Sequence, residues 1–340
     1  LTITNRGPQS AVLHVLPQLY FRNTWTWHWT DEGCTTRPSM RLDGNVVRAR
    51  HESLDQVWLV CDGVEHSQEW TWLFTDNETN THRHPDLPSE SEHFKDAFNN
   101  YVVLGDTRAV NSGQRGTKCA AYGLLMLPHG ASQQIRLRLT HADEEIIRER
   151  CGGEPGRFAT AAFGDEFDRC FEQRTSDAEE FYSNRIPDPL ADPQKQIMRQ
   201  AYAGLLWTKQ FYHYSVRTWL DGDPNGVPTS PARRNGRNSD WRHLFNRDVI
   251  SMPDKWEYPW YAAWDLAFHM VPMANLDIHF AKEQLILFLR EWYMHPSGQI
   301  PAYEWHLSDV NPPVHAWGVW QVYKATGPPR HRDKVFLARA

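Results

Sequence analysis

The stretch Trp256-Glu257-Tyr258-Pro259-Trp260-Tyr261-Ala262-Ala263-Trp264-Asp265 leads directly into a segment with helical periodicity. It surrounds one carboxylate, Asp265, with several aromatic side chains. A second cluster, Pro301-Ala302-Tyr303-Glu304-Trp305, repeats the combination of an acid with aromatic residues. We therefore take residues 256–305 as the part of the chain that decides the fold and the site.

Asp265 has two interpretations from its neighbours. A carboxylate in the first turn of a helix gains ~0.3–1 kcal/mol from the helix dipole, which is a purely structural role. Burial against Trp260, Tyr261 and Trp264 would instead raise its pKa and make it a proton donor near neutral pH. Flat aromatic rings also suit the C–H faces of sugars, so the second interpretation predicts a carbohydrate site.

Glu304 is the second candidate acid. It lies between Pro301 and Trp305 in a predicted loop, where binding groups are often carried. It could act as the base of a paired-carboxylate site, hold sugar hydroxyls, or form an ordinary loop ion pair. The sequence leaves these alternatives open.

Composition excludes several other classes of function. The 340 residues carry a formal charge of −6, which disfavours nucleic acid as a partner. The apolar runs are too short to cross a membrane, and five widely spaced cysteines predict neither a disulfide framework nor a zinc site. We expect no metal and no cofactor, and a cytoplasmic location. Sixteen tryptophans are far above common usage and fit either a large core or an aromatic ligand wall.

The first part of the chain predicts antiparallel strands. Short runs alternate on a period of two and end at Gly, Asn, Asp or Pro. A short helix is expected over Ser91–Asn100, and Arg136 and Arg138 are expected on a wetted sheet face. The predicted strands are Ala11–Leu16, Gln18–Phe21, Val57–Val60, Trp70–Phe74, Tyr101–Leu104 and Gln134–Thr140.

The period becomes helical from Asp165, and three prolines at Pro187, Pro189 and Pro193 then interrupt it. This predicts a β-sandwich portion at 1–145, a helical linker at 146–192 and a helical domain at 193–340. The chain begins without Met and ends on a helical pattern without a stop signal, so we expect it to be a piece of a longer protein.

The helical domain is predicted to contain helices over Pro193–Trp219, Trp260–Met270, Ile278–Tyr293 and Pro312–Lys324. Gly204 is expected to allow a close helix contact. The long loop between the first two, Asp221–Pro259, is interpreted as a substrate lid; its chemistry-bearing residues are Asp240, Trp241, Arg242, His243, Asn246, Asp248 and Asp254. His269, four residues after Asp265, is interpreted as a packed histidine.

Several motifs resemble glycoside hydrolase family 63, in particular its bacterial members similar to processing α-glucosidases and mannosylglycerate hydrolase. The segments that carry the resemblance are 238–244, 252–260, Ala263-Trp264-Asp265-Leu266-Ala267-Phe268-His269, 291–296, 299–305 and 309–317, together with Leu16–Trp25 in the strand region.

The resemblance implies an incomplete (α/α)6 barrel after the β-sandwich portion, and hydrolysis of α-glycosidic bonds with inversion. Ala263-Trp264-Asp265 matches the family motif that carries the general acid. The family's general base lies further downstream and has no counterpart here, so this piece alone is expected to be inactive, with an oligosaccharide or glycoside as partner of the whole protein. The predicted substrate-binding residues are Trp241, Trp256, Tyr258, Trp260, Tyr261, Trp264, Gln299, Tyr303, Glu304, Trp305, His315 and Trp317.

Two alternatives from other classes remain. A non-catalytic carbohydrate-binding protein would use the same aromatic walls. A polysaccharide lyase also joins an α/α toroid to a β-sandwich, but it would depend on Tyr and His rather than on paired acids.

Overall fold

Among the described residues, strands outnumber helices in the first half of the chain and helices outnumber strands in the second, so the fold combines β and α structure. The computed structural model describes residues 1–28, 35–62, 70–84, 91–141, 162–224, 226, 228–300, 302 and 311–340. The chain divides into a first unit, Leu1–Arg174 with Asp223–Val227, and a second unit, Thr175–Gly222 with Pro228–Ala340.

The elements are named in chain order. The strands are β1 (Thr2–Thr4), β2 (Ala11–Val15), β3 (Gln18–Tyr20), β4 (Ser39–Asp43), β5 (Val46–His51), β6 (Asp55–Cys61), β7 (Trp70–Thr75), β8 (Arg115–Gly116), β9 (Lys118–Leu127), β10 (Ser132–Gln134), β11 (Leu137–His141), β12 (Lys209–Ser215) and β13 (Phe245–Ser251). The helices are α1 (Ala97–Leu104), α2 (Asp165–Ser183), α3 (Asp192–Leu206), α4 (Val216–Asp221), α5 (Pro231–Arg234), α6 (Ala263–Met273), α7 (Ile278–Leu287), α8 (Val314–Ala325) and α9 (Lys334–Arg339).

Two antiparallel sheets share the core of the first unit. One has the strand order β11-β6-β5-β4-β8; in the other, β9 pairs with β2, β3 and β7. Both sheets contribute to one buried cluster, for example Val47 and Leu59 from the first and Phe74 and Cys119 from the second. Gly123 of β9 is needed there, because a Cβ atom at this position would overlap the Trp70 ring.

Three local predictions in the first unit are wrong. The helix predicted over Ser91–Asn100 begins only at Ala97, as α1. Tyr101–Leu104, predicted as a strand, forms the last turns of α1, which buries only Ala97 and Phe98. The predicted strand Gln134–Thr140 is divided: β10 ends at Gln134 and pairs with β1, whereas β11 begins at Leu137 and pairs with β6. A run rich in apolar residues does not by itself distinguish a strand from a half-buried helix.

Arg136 and Arg138 are not simply solvated, as the alternating pattern predicted. Arg136 donates to the Phe163 carbonyl at 3.2 Å and Arg138 to the Ala162 carbonyl at 3.0 Å. Arg136 also donates to Asp62 at 2.8 Å. The outer sheet face is thus covered in part by the segment that leads into α2.

The second unit contains a hairpin that the sequence did not predict. The predicted helix Pro193–Trp219 ends as α3 at Leu206, and β12 then pairs with β13 over seven residues, from Lys209 opposite Ser251 to Ser215 opposite Phe245. The predicted loop Asp221–Pro259 therefore contains a strand and the short helix α5. Tyr212 and Ile250 bury the inner face of this hairpin in the core.

Helices α6, α7 and α8 pack on the same core. The close contact is at Gly318 of α8, where a Cβ atom would lie 3.0 Å from the Ala267 carbonyl oxygen of α6. Gly204 does not have the predicted role: it is exposed, and among the described residues a Cβ there would have no neighbour within 4 Å. Within the described part of the chain, no helix combines the length and apolarity needed to cross a bilayer.

Candidate functional site

Asp265 lies in the first turn of α6. The helix begins at Ala263 after an extended residue, Ala262, and ends at Met273; Pro272, in its last turn, has no N–H to donate to the preceding turn. Leu266 and Met270 bury one stripe of the helix completely. Asp265 lies beside this stripe, so its side chain is only partly exposed.

Burial raises the pKa of Asp265 above its ordinary value. His269 and the backbone N–H of Asp265 itself act in the opposite direction, but less strongly. The balance therefore favours a protonated carboxyl group relative to an acid on an open surface. A carboxylic acid of this kind can donate a proton to a bound group.

His269 shares the helix face of Asp265, one turn later, and is anchored to the hairpin. Its Nδ1 lies 2.9 Å from the Ser251 hydroxyl, which lies 2.7 Å from the Thr208 hydroxyl. The Thr208 hydroxyl donates in turn to the Leu205 carbonyl at 2.7 Å. Burial lowers the pKa of His269, against the effect of Asp265, so the imidazole is mainly neutral at neutral pH.

Gln284 of α7 fixes the strand that carries Ser251. Its side-chain oxygen accepts from the Ser251 backbone N–H at 3.1 Å, and its side-chain nitrogen donates to the Val249 carbonyl at 2.9 Å. Ser251 is fully buried and Gln284 nearly so. Sequence reasoning missed Ser251, Thr208 and Gln284, and only the four-residue spacing of Asp265 and His269 pointed towards this cluster.

An exposed aromatic row lies on the neighbouring stripe of α6 and on α8. The ring centroids of Trp264 and Phe268 are 6.2 Å apart, and those of Phe268 and Trp317 are 5.5 Å apart. Trp264 is 39% exposed and Trp317 is 44% exposed, so both rings offer accessible surface. The structure thus brings two of the predicted binding residues, Trp264 and Trp317, into one row.

A tight turn precedes α6. The Asp254 carboxylate accepts from the backbone N–H groups of Trp256 and Glu257, at 2.6 and 2.9 Å. Trp256 is 83% exposed and Tyr258 is also exposed. Trp260 is partly buried and contacts Tyr258 edge to face at 5.4 Å. These rings remain accessible to a ligand.

Trp241 and Tyr261 are core residues, in contrast to their predicted role in binding. Both are fully buried. The Trp241 indole N–H donates to the Met294 carbonyl at 2.9 Å, and Tyr261 packs edge to face on Phe288 and Tyr293. Because their faces are covered, we do not include them among the proposed sugar contacts.

Two of the predicted lid residues, Asn246 and Asp248, tie β13 to the segment after α7. Tyr293 donates to the Asp248 carboxylate at 3.0 Å, and Asn246 donates weakly to the Trp292 carbonyl at 3.4 Å. Burial, followed by the charge of Asp248, raises the pKa of Tyr293 well above its usual range. A strand held in this way is a fixed element rather than a lid.

The remaining predicted binding residues lie after α7. The Gln299 carbonyl accepts from the His295 backbone N–H at 2.9 Å in a turn. His315 is half-buried in the first turns of α8; burial lowers its pKa, and the Leu285 carbonyl acts in the opposite direction. Tyr303, Glu304 and Trp305 lie outside the described residues. Among the residues that are described, no three His, Cys, Asp or Glu side chains converge as a metal site would require.

Comparison with known proteins shows a similarity to a yeast protein. No protein-family model matches the chain. The chain is 41% identical, over 363 aligned residues, to Uncharacterized protein YMR196W of Saccharomyces cerevisiae (strain ATCC 204508 / S288c). The match covers 100% of this chain and 33% of the yeast protein, so the chain spans about a third of the length of the curated relative it matches.

Proposed function

We propose that this chain carries the general-acid half of an inverting α-glycosidase site of the family 63 type. The observation that carries the proposal is Asp265: a partly buried carboxyl group at the start of a helix, with a raised pKa, next to an open aromatic row. In this role the acid protonates the glycosidic oxygen as the bond to the sugar breaks.

The proposed fold of the whole protein follows from the same resemblance. The two sheets that share one core are interpreted as part of a β-sandwich, and the second unit as the first helices of an (α/α)6 barrel. The chain spans a third of its yeast relative, so the activity is proposed for the whole protein rather than for this part.

An inverting hydrolase also needs a base. The two carboxyl groups of such sites lie ~6.5–9.5 Å apart, which leaves room for the attacking water. The resemblance places the base further along the chain than the motifs present here. Glu304 is proposed as a sugar-binding or structural group.

The aromatic row is proposed as the sugar platform. Trp264 and Trp317 supply accessible indole faces, and Trp256, Tyr258 and Trp260 lie in the turn that leads to the acid. Aromatic stacking accepts many different sugars, so in this proposal it provides affinity. The polar groups beside Asp265 provide the orientation of the sugar.

The experiment is to compare the full-length protein with its Asp265→Asn variant on α-linked glucosides. The variant is expected to keep sugar binding and to lose turnover by ~10²–10⁴-fold, the usual contribution of a general acid. The first sugar released by the wild type is expected to have the inverted anomeric configuration. Unchanged turnover in the variant would remove Asp265 from the mechanism. Binding without turnover in the wild type would favour a carbohydrate-binding protein, and ultraviolet-absorbing products from uronate polymers would favour a lyase.

A further inference from the structure

The hydroxyl groups behind His269 determine which of its ring nitrogens carries the proton. A carbonyl oxygen can only accept, so the Thr208 hydroxyl must use its single proton to donate to Leu205, at 2.7 Å. At its contact with Ser251, also 2.7 Å long, Thr208 can then only accept. The Ser251 proton is therefore directed to Thr208.

The same count of hydroxyl protons also fixes the protonated nitrogen of the His269 imidazole. Ser251 has used its one proton, so at its 2.9 Å contact with His269 it can only accept. The Nδ1 atom must then be the donor. A neutral imidazole has one N–H group, which leaves Nε2 with a lone pair.

The relay is built rigidly. Ser251 is fully buried on β13, and Gln284 of α7 fixes both its backbone N–H and the Val249 carbonyl of the same strand. Lys209, which is opposite Ser251 in the hairpin, directs its ammonium group to Asp277 at 2.8 Å. Of the residues that the structure describes, Asp265 is the ionisable group whose charge acts on His269.

We propose that His269 is a positioning residue of the site: the relay through Ser251 and Thr208 fixes its neutral Nδ1–H tautomer, so that Nε2 is a hydrogen-bond acceptor for a sugar hydroxyl group one helical turn from Asp265. This inference rests on the proposed function, since it assigns the polar partner of the same sugar. Among the described residues, the hydrogen bond that His269 makes is the one through Nδ1, and Nε2 has no partner of its own. A hydroxyl that donates to Nε2 satisfies both groups.

The first arm of the test measures the tautomer and needs no substrate. In the full-length protein labelled with ¹⁵N-histidine, long-range proton–nitrogen correlation spectra distinguish the two neutral tautomers, and the His269→Gln variant identifies the signal. The expected pattern is a protonated Nδ1 and an unprotonated Nε2. Ser251→Ala is expected to convert this pattern to the Nε2–H form or to a mixture. An Nε2–H tautomer in the wild type would overturn the relay.

The second arm measures binding in the Asp265→Asn background, where turnover does not interfere. The probes are methyl α-glucoside and its four monodeoxy analogues. One analogue is expected to bind at least tenfold more weakly than the parent. His269→Asn retains a donor to Ser251 but has no acceptor at the Nε2 position. It is therefore expected to weaken binding of the parent glucoside by a similar factor, without further weakening the binding of the analogue that lacks the recognised hydroxyl group. His269→Gln, which places an amide oxygen near the Nε2 position, is expected to restore most of the binding.

The assignment would be contradicted if the affinity losses caused by the deoxy sugar and by His269→Asn simply multiplied. The two changes would then act on different contacts. Failure of the unsubstituted protein to bind any glucoside would overturn the proposed function and with it the sugar ligand of His269. The tautomer measurement separates that outcome from a failure of the relay itself.

Discussion

Removal of the Ser251 hydroxyl tests the buried relay through stability. This hydroxyl makes two contacts, at 2.7 Å to Thr208 and 2.9 Å to His269, and the residue is fully buried. In Ser251→Ala the Nδ1 atom of His269 loses its partner inside the protein, whether it then carries the proton or a lone pair. An unsatisfied buried polar group costs ~1–3 kcal/mol, so we expect destabilisation of about 2 kcal/mol.

The assay is urea unfolding followed by tryptophan fluorescence, with the midpoints compared at constant slope. Ser132→Ala is the matched control, because Ser132 forms a serine–threonine hydroxyl pair of the same 2.7 Å length with Thr4, but an exposed one. The control is expected to change stability by less than ~0.5 kcal/mol.

A double-mutant cycle with His269→Leu makes the test specific. Once the imidazole is absent, loss of the serine hydroxyl no longer leaves a ring nitrogen without a partner, so the effects of the two changes are expected to be less than additive by ~1–2 kcal/mol. A Ser251→Ala cost no larger than the Ser132→Ala cost, or full additivity with His269→Leu, would refute the reasoning.

Three further predictions use other contacts of the second unit. Gly318→Ala is expected to destabilise the protein by ~1–3 kcal/mol, because its Cβ would meet the α6 backbone at 3.0 Å. Gly204→Ala, in an exposed helical position, is expected to stabilise the protein by ~0.5–1 kcal/mol. The melting temperatures of the two variants should therefore shift in opposite directions. Asp277→Ala is expected to cost ~1 kcal/mol relative to Asp277→Asn, which keeps a side-chain cap on α7, and equal urea midpoints would contradict this. Asp265→Asn is expected to become progressively more stable than the wild type as pH rises from ~3 to neutral. The raised pKa of Asp265 gives the folded wild type a stabilising free energy that is fully present below the unfolded pKa of ~3.9 and is lost as pH rises through the folded pKa, whereas asparagine does not titrate. A difference in unfolding free energy between the two proteins that does not vary with pH would contradict this prediction.

The sequence predicted the regular elements best where one period dominates over many residues. Helix α2 begins at Asp165 as its apolar stripe indicated, and Asp265 lies in the first turn of a helix, as expected. The sequence predicts a helix through Lys209–Ser215, because Thr208 and Tyr212 continue the spacing of three and four that begins at Ile197. The strand conformation of this segment depends on pairing with Phe245–Ser251, about 36 residues later, which no local pattern reveals.

In the candidate site, too, the sequence reveals the contiguous motif but not the contacts between distant residues. The motif around Asp265 is contiguous, so a sequence reading finds it. The relay joins residues separated by 43 and 18 positions along the chain, and neither serine nor threonine carries a local signature of such a role. The aromatic residues were predicted as one group, but burial divides them: Trp264 and Trp317 are open, whereas Trp241 is fully enclosed.

The most direct test of the account is the leaving-group dependence of Asp265→Asn in the full-length protein. An α-glucoside with a dinitrophenolate leaving group does not need protonation, whereas an α-linked disaccharide does. If Asp265 is the general acid, the variant loses ~10²–10⁴-fold on the disaccharide and less than ~10-fold on the dinitrophenyl glucoside. Equal losses on both substrates, or no loss on the disaccharide, would contradict the assignment.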